Sequence, residues 1–153
     1  MNKQVLFVCT GNTCRSPMAT AIFNHFSEKA NSSWFATSAG LATETGLPIS
    51  DKAAKALIDF GIYIEDHQAH QLEARMIKDA NIVLTMTETQ RDLLHVYYPE
   101  FADKVLTIAE FADYDEDVKD PFGQGISAYK EIAELFVEIM PGIVEKLTNQ
   151  FDL

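Results

Sequence analysis

A chain of 153 residues has the commonest size for one domain and can bury roughly 70% of its unfolded surface, so its core needs no covalent staples. With 47% apolar and 23% charged residues, a disordered or fibrous chain is excluded. Twelve Lys+Arg against 23 Asp+Glu leave a formal net charge of −11, which repels polyanions and argues against nucleic acid and anionic membranes as partners.

Met1-Asn2-Lys3-Gln4 leads into only a short apolar run, Val5-Leu6-Phe7-Val8. No stretch reaches the roughly 18 apolar residues of a membrane span, and a secretory signal is not expected. Two cysteines make no disulfide framework, so an intracellular, cytoplasmic protein with reduced thiols is expected. The run Val5–Val8 reads as a strand covered on both faces. It ends at Cys9, and a polar loop leads to Ser16-Pro17, where a helix is expected to start with Pro at its first position. Met18, Ala21, Ile22, His25 and Phe26 follow at helical spacing as one buried stripe.

Trp34–Thr37 reads as a second strand, and residues 50–60 as a helix with Ala53, Leu57 and Phe60 inward and Gly61 as its stop. Leu72–Ala80 is expected to be helical, Asn81–Met86 a third strand, and Thr87–Tyr98 a helix opened by a Thr87-x-x-Gln90 capping box. Val105–Ile108 is the fourth strand. A long amphipathic segment from Ile126 to Phe151 closes the chain, with Pro141 expected to kink or break it. Strands alternating with helices predict one α/β domain over residues 1–153, a four-stranded parallel sheet with helices on both faces. In such sheets ligands sit at the carboxyl ends of the strands, which directs attention to the loop after strand one.

That loop is Cys9-Thr10-Gly11-Asn12-Thr13-Cys14-Arg15-Ser16. Between a strand end and a helix N-terminus, a ring of backbone N–H groups and the positive end of the helix dipole suit a tetrahedral dianion. Gly11 and Asn12 are the residue types that tolerate the left-handed backbone of such a nest. Arg15 supplies a planar fork for two phosphate oxygens. Cys9 stands in the same positive field, which favours its nucleophilic thiolate, and Ser16 could donate a hydrogen bond to the sulfur. The constellation suggests attack of Cys9 on phosphorus. The competing reading of Cys9 is a small buried apolar residue at a strand end. Cys14 is close enough in a tight loop for a disulfide to Cys9, so a reversible redox pair is one expectation and an inert thiol the other. The pair His67 and His70 has no third ligand nearby to complete a metal site and reads as packed or surface; His25 reads as core, and Arg75 and Arg91 as solvated. Asp113, Asp115, Glu116, Asp117 and Asp120 crowd one loop, any of which could be a solvated turn residue or an acid.

Val8-Cys9-Thr10-Gly11-Asn12-Thr13-Cys14-Arg15-Ser16-Pro17, together with Ser38-Ala39-Gly40 and Asp120-Pro121-Phe122-Gly123, resembles the active-site signature of the low-molecular-weight protein tyrosine phosphatases across essentially the whole chain. The resemblance implies a cysteinyl-phosphate intermediate, no metal or other cofactor, phosphorylated proteins as substrates and inorganic phosphate or vanadate as ligands. On it Cys9 is the nucleophile, Arg15 the phosphate clamp and Asp120 the general acid. Thr10 to Ser16 then bind phosphate, Asn12, Ser16 and Ser38 brace the loop, and Phe122 walls the substrate side chain or else packs in the core. Thr13 stands where tyrosine-specific members carry a branched aliphatic residue. It resembles the protein-arginine phosphatase branch, as does the Asp120–Gly123 stretch with Tyr129-Lys130. A threonine hydroxyl can hydrogen-bond the guanidinium of phosphoarginine, whereas a phenol ring prefers an aliphatic wall. Phosphoarginine is therefore expected, with phosphotyrosine as the alternative. Arsenate reductases share the loop but need further cysteines, which Ile82–Arg91 lacks; a non-catalytic phosphoprotein-binding module would not be expected to keep both Cys9 and Asp120.

Overall fold

The apolar run after the N-terminus forms β1 (Gln4–Cys9), in which the side chains from Val5 to Cys9 are all buried. The computed structural model describes residues 3–151; Met1, Asn2, Asp152 and Leu153, included in the sequence expectation of one domain, lie outside it. In chain order there follow α1 (Arg15–Lys29), β2 (Phe35–Gly40), α2 (Asp51–Ile58), α3 (Ala74–Asp79), β3 (Ile82–Thr85), α4 (Glu88–Tyr97), a 3-10 segment (Pro99–Lys104), β4 (Val105–Thr107), α5 (Ile108–Ala112) and α6 (Ile126–Phe151). The four strands are parallel in the order β2-β1-β3-β4. Successive β1 side chains point to opposite faces, as pleating requires. Val5 and Phe7 join a core with α1, α2, α5 and α6, while Leu6 and Val8 join a second core with α3 and α4. This is the expected α/β class with both faces of the sheet covered. Among the described residues no helix is long and apolar enough to cross a membrane.

Several boundaries differ from the sequence reading for physical reasons. The buried residues of α1 are Arg15, Ser16, Pro17, Met18, Ala19, Ile22, Phe23 and Ser27, while Ala21, His25 and Phe26 are half-buried. The helix is wedged between the sheet and α6, so its buried surface is a broad wedge and not one narrow stripe. Phe7 meets Phe23 edge-on at 5.9 Å, and His25 sits edge-on to Phe26 at 5.3 Å. Pro17 is the third helical residue, still within the first turn, whose N–H groups have no intrahelical acceptor. Ile108 leaves the fourth strand and opens α5 because Thr107 and Glu110 form a second capping box, beside the expected one at Thr87 and Gln90. Arg91, read as solvated, is 20% exposed in its side chain and pairs with Glu110 at 2.7 Å and Asp92 at 3.0 Å. Hydrogen bonding to these carboxylates holds its proton more firmly than usual.

The long α6 is not broken at Pro141. Phe136, Met140, Ile143, Val144 and Leu147 are buried on either side of the proline, while Pro141 itself faces solvent. Tertiary packing against α1 and α2 outweighs the one backbone bond that the proline forfeits.

What positions the functional loop is the register. Cys9 lies opposite Gly40 on β2, and Val8 opposite Thr85 on β3. The connection from β1 leads to β2 on one side and that from β3 to β4 on the other, so the loop after β1 opens at the topological switch point.

Candidate active site

Residues 9–16 wrap around the end of β1 and run directly into α1, whose first intrahelical bond is donated by Met18 N–H to the Cys14 carbonyl at 3.1 Å. The nest depends on one left-handed residue, Asn12, with φ of +55°. Gly11 is not left-handed, contrary to the sequence expectation; asparagine alone takes the unusual backbone. Its side chain supplies the compensation. Asn12 Nδ2 donates to Ser16 Oγ at 2.7 Å and Ser38 Oγ at 2.9 Å, and Asn12 Oδ1 accepts the His70 N–H at 2.9 Å. Asn12 is fully buried, so each partner replaces water that cannot reach it.

Cys9 Sγ lies 2.9 Å from Ser16 Oγ and accepts the Asn12 N–H at 3.3 Å. Because Ser16 Oγ already accepts from Asn12 Nδ2, its single proton is free to point at the sulfur. Two donors therefore converge on Sγ, an arrangement complementary to negative charge there. The sulfur forms part of a cavity of about 230 Å³ lined by the loop, Asp120 and Phe122. That is below the roughly 300–1,000 Å³ of ordinary ligand pockets and suits a group of phosphate size.

Arg15 is 5% exposed. One guanidinium nitrogen donates to the Val118 carbonyl at 2.9 Å, which aims the fork, and the other stands 4.0 Å from Asp120 Oδ2. Asp120 Oδ1 accepts the Phe122 N–H at 3.0 Å, so the Asp-Pro-Phe turn holds its own carboxylate. Of the acidic loop residues, Asp120 is the one lining the cavity beside the sulfur. Phe122 is 79% exposed at the mouth and is not a core residue. Thr13 lies at the same mouth, with its carbonyl held by the Ser50 N–H at 2.9 Å. Both cysteines are free thiols; Cys14 Sγ faces Ser50 Oγ at 3.5 Å and the Tyr129 hydroxyl at 4.0 Å. Burial and the neighbouring Cys14 push the Tyr129 phenol above its ordinary value.

Gly40 explains the Ser38-Ala39-Gly40 segment. A Cβ there would stand 2.8 Å from the Thr10 carbonyl oxygen and 3.0 Å from the Asn12 side chain, so only glycine lets β2 approach the loop.

Four bracing residues escape a reading of the loop alone. Gln90 Oε1 accepts the N–H groups of Met86 and Thr87, while Nε2 reaches Thr10 Oγ1 at 3.1 Å; the capping-box pattern marked Gln90, but only as a helix start. Val118 contributes a carbonyl, which no side-chain pattern announces. His67 and His70 both serve Asn12, the first through Nε2 to the Asn12 carbonyl at 2.8 Å. Among the described residues no group of three or more His, Cys, Asp or Glu is placed to hold a metal ion.

Burial lowers the His67 pKa below its ordinary value, with His70 adding to the effect, while the bond to Asn12 opposes it. The folded chain thus favours neutral His67, and on acidification the unfolded chain takes up the proton first. Stability contributed by this residue is present above the unfolded value of about 6.5 and is lost as pH falls toward the folded value. His67→Gln is expected to flatten the stability profile between about pH 7.5 and 5.5, removing a slope no steeper than about 1.4 kcal/mol per pH unit. Urea unfolding of both proteins across that range is the check, and identical slopes would contradict it.

Residues 4–152 match the family model described as low molecular weight phosphotyrosine protein phosphatase. A protein-arginine-phosphatase of Geobacillus stearothermophilus is 35% identical over 98% of this chain and 99% of its own. The crystal structure of a low molecular weight protein tyrosine phosphatase from T. tengcongensis has a TM-score of 0.87 at 42% identity, covering 98% of this chain and 100% of that one. An arginine phosphatase in which the cysteine is mutated to a phosphorylated active-site serine has a TM-score of 0.93 at 30% identity, covering 97% of this chain and 98% of the other.

Proposed function

The chain belongs to the low molecular weight phosphotyrosine protein phosphatase family, and from that premise we propose that it hydrolyses phosphoarginine in proteins through a cysteinyl-phosphate intermediate. The observation that carries the reading is the phosphate-sized cavity in which Cys9 Sγ, the Arg15 fork and the Asp120 carboxylate meet. In the first step Cys9 attacks phosphorus as the thiolate, the P–N bond breaks, and Asp120 protonates the departing guanidine nitrogen. Arg15 and the loop N–H groups, including those of the first helical turn, take the charge on the equatorial oxygens. In the second step water attacks the cysteinyl phosphate, Asp120 accepts its proton, and inorganic phosphate leaves with Cys9 restored. Asn12, Ser16 and Ser38 hold the loop, and Thr10 to Ser16 form the anion cradle that phosphate or vanadate would also occupy. A reducing cytoplasm suits the mechanism, since Cys9 works only as a reduced thiol.

The choice of phosphoarginine rests on Thr13 at the cavity mouth, on the carboxylate beside it, and on the names of two relatives that act as arginine phosphatases. Phosphotyrosine is the second reading, favoured by the 42% identical tyrosine phosphatase. One peptide pair separates them, phosphoarginine against phosphotyrosine, with the wild type and Thr13→Ile. The wild type is expected to prefer phosphoarginine by more than about tenfold in kcat/KM, some 1.4 kcal/mol, and Thr13→Ile to reverse the order. Preference for phosphotyrosine by the wild type, with little change in the variant, would reassign the substrate.

Cys14 extends the proposal to redox control. Peroxide would oxidise Cys9 to the sulfenic acid, and the Cys14 thiol would displace water from it to give a disulfide. After mild peroxide the expected product is an intramolecular Cys9–Cys14 bond, with activity restored by dithiothreitol. Peptide mapping that finds free Cys14 beside over-oxidised Cys9 would sink this part.

A further inference from the structure

A second cleft, about 590 Å³, opens beside the phosphate cavity and shares three of its residues, Thr10, Arg15 and Asp120. Its far wall is α4 and its near wall the segment after β2, and its apolar lining comes from Leu41, Leu72, Leu93, Leu94, Tyr97 and Tyr98. Arg15 and Asp120, both at the shared border, are its only charged lining residues among those described. On a chain where 23% of residues are charged, so uncharged a cleft does not suit an ionic ligand. Leu94 is buried and forms the floor, whereas Leu93 and Tyr97, one helical turn apart, stand 41% and 71% exposed on the rim. Gln90 ties this wall to the phosphate loop through Thr10.

Resting on the phosphatase reading above, we propose that this cleft is a subsite for an apolar side chain of the substrate polypeptide, next to the phosphorylated residue in sequence. The argument is one of continuity. A protein substrate whose phosphate occupies the small cavity extends from its mouth across the surrounding surface, and on the side where Thr10, Arg15 and Asp120 border both cavities that surface is this apolar trough. Burial of one leucine there recovers surface that the free enzyme leaves wet, which makes turnover depend on the flanking sequence. A lone amino-acid phosphate or an aryl phosphate fills only the small cavity and gains nothing.

The test uses the intact protein, an aryl phosphate such as p-nitrophenyl phosphate, and peptides carrying phosphoarginine or phosphotyrosine. In each set a single leucine is walked through glycine flanks on both sides. Leucine at one position is expected to raise kcat/KM by about tenfold over the all-glycine peptide, equivalent to about 1.4 kcal/mol. Leu93→Gln and Tyr97→Ala should erase that gain while leaving aryl phosphate turnover within about twofold. Val96→Ala, on the same helix, 75% exposed and outside the cleft lining, should leave both unchanged. Equal rates for leucine and glycine peptides, with aryl phosphate still hydrolysed, would overturn the subsite and leave the phosphatase assignment standing. A gain that survives both rim substitutions, or is lost equally in Val96→Ala, would also overturn it. Absence of turnover of the aryl phosphate and of both kinds of phosphopeptide in the wild type would overturn the reading beneath it and the subsite together.

Discussion

Cys9→Ser is expected to lower turnover by about 10⁴-fold or more while phosphate and vanadate still bind. The magnitude follows from the role of the sulfur: removal of a covalent nucleophile leaves only the cradle, and sites so stripped keep a small residue of their rate enhancement. Serine fits the same space, so the two donors at that position, Ser16 Oγ and the Asn12 N–H, would meet a hydroxyl in place of sulfur. The hydroxyl is a far weaker nucleophile at neutral pH, whereas the anion cradle of N–H groups and Arg15 is untouched. Turnover of an aryl phosphate and binding of vanadate by calorimetry read the two effects apart. Turnover by the variant within about a hundredfold of the wild type would remove Cys9 from the nucleophile's role, and loss of anion binding as well would mean the loop itself had collapsed.

Asp120→Asn is expected to cost about 10²- to 10⁴-fold in the first step, the range for general acid catalysis, and to do so unevenly. A leaving group that departs well as an anion needs little help, while a guanidine or an alkyl alcohol needs its proton in the transition state. The rate loss should therefore be least for p-nitrophenyl phosphate and greatest for phosphoarginine. Asn keeps the shape of the turn and an oxygen that can accept the Phe122 N–H, so the comparison isolates proton transfer from folding. The carboxylate stands 4.0 Å from Arg15 and is 58% exposed, so its loss should scarcely disturb Arg15, which the Val118 carbonyl also holds. An equal loss for good and poor leaving groups would take the acid's role from Asp120.

The residues of the proposed chemistry are nearly all contiguous, and for that reason the chain order alone points to them. Cys9 through Ser16 form one loop whose geometry is dictated by a strand end, one left-handed asparagine and a helix start, all short-range features. The alternation of buried strands with helices likewise rests on local periodicity, and it led to the observed parallel sheet. Local capping chemistry is legible too at Thr87 and Gln90, and is masked at Thr107 and Glu110 because the run Val105–Ile108 reads as one strand although the strand is only three residues long. Asp120 was legible only through the resemblance, since five acidic residues in one loop offer no local reason to choose among them.

Long-range partners are another matter. The Val118 carbonyl that aims Arg15 is 103 residues away, Gln90 is 80 residues from Thr10, and His70 is 58 from Asn12. Nothing in their spacing announces these pairs, because they are brought together by the order β2-β1-β3-β4, which lines up the carboxyl ends of β1, β2 and β3. The same ordering presses Gly40 against the Thr10 carbonyl and lets α6 run unbroken through Pro141, where packing against two helices outweighs an intrinsic helix breaker. By itself the amino-acid order determined the proposed reaction centre and the alternation of elements, both set within a few residues of chain. Only the tertiary structure decided which distant groups hold that centre and that an apolar cleft adjoins it, because both arise where segments far apart in the chain meet.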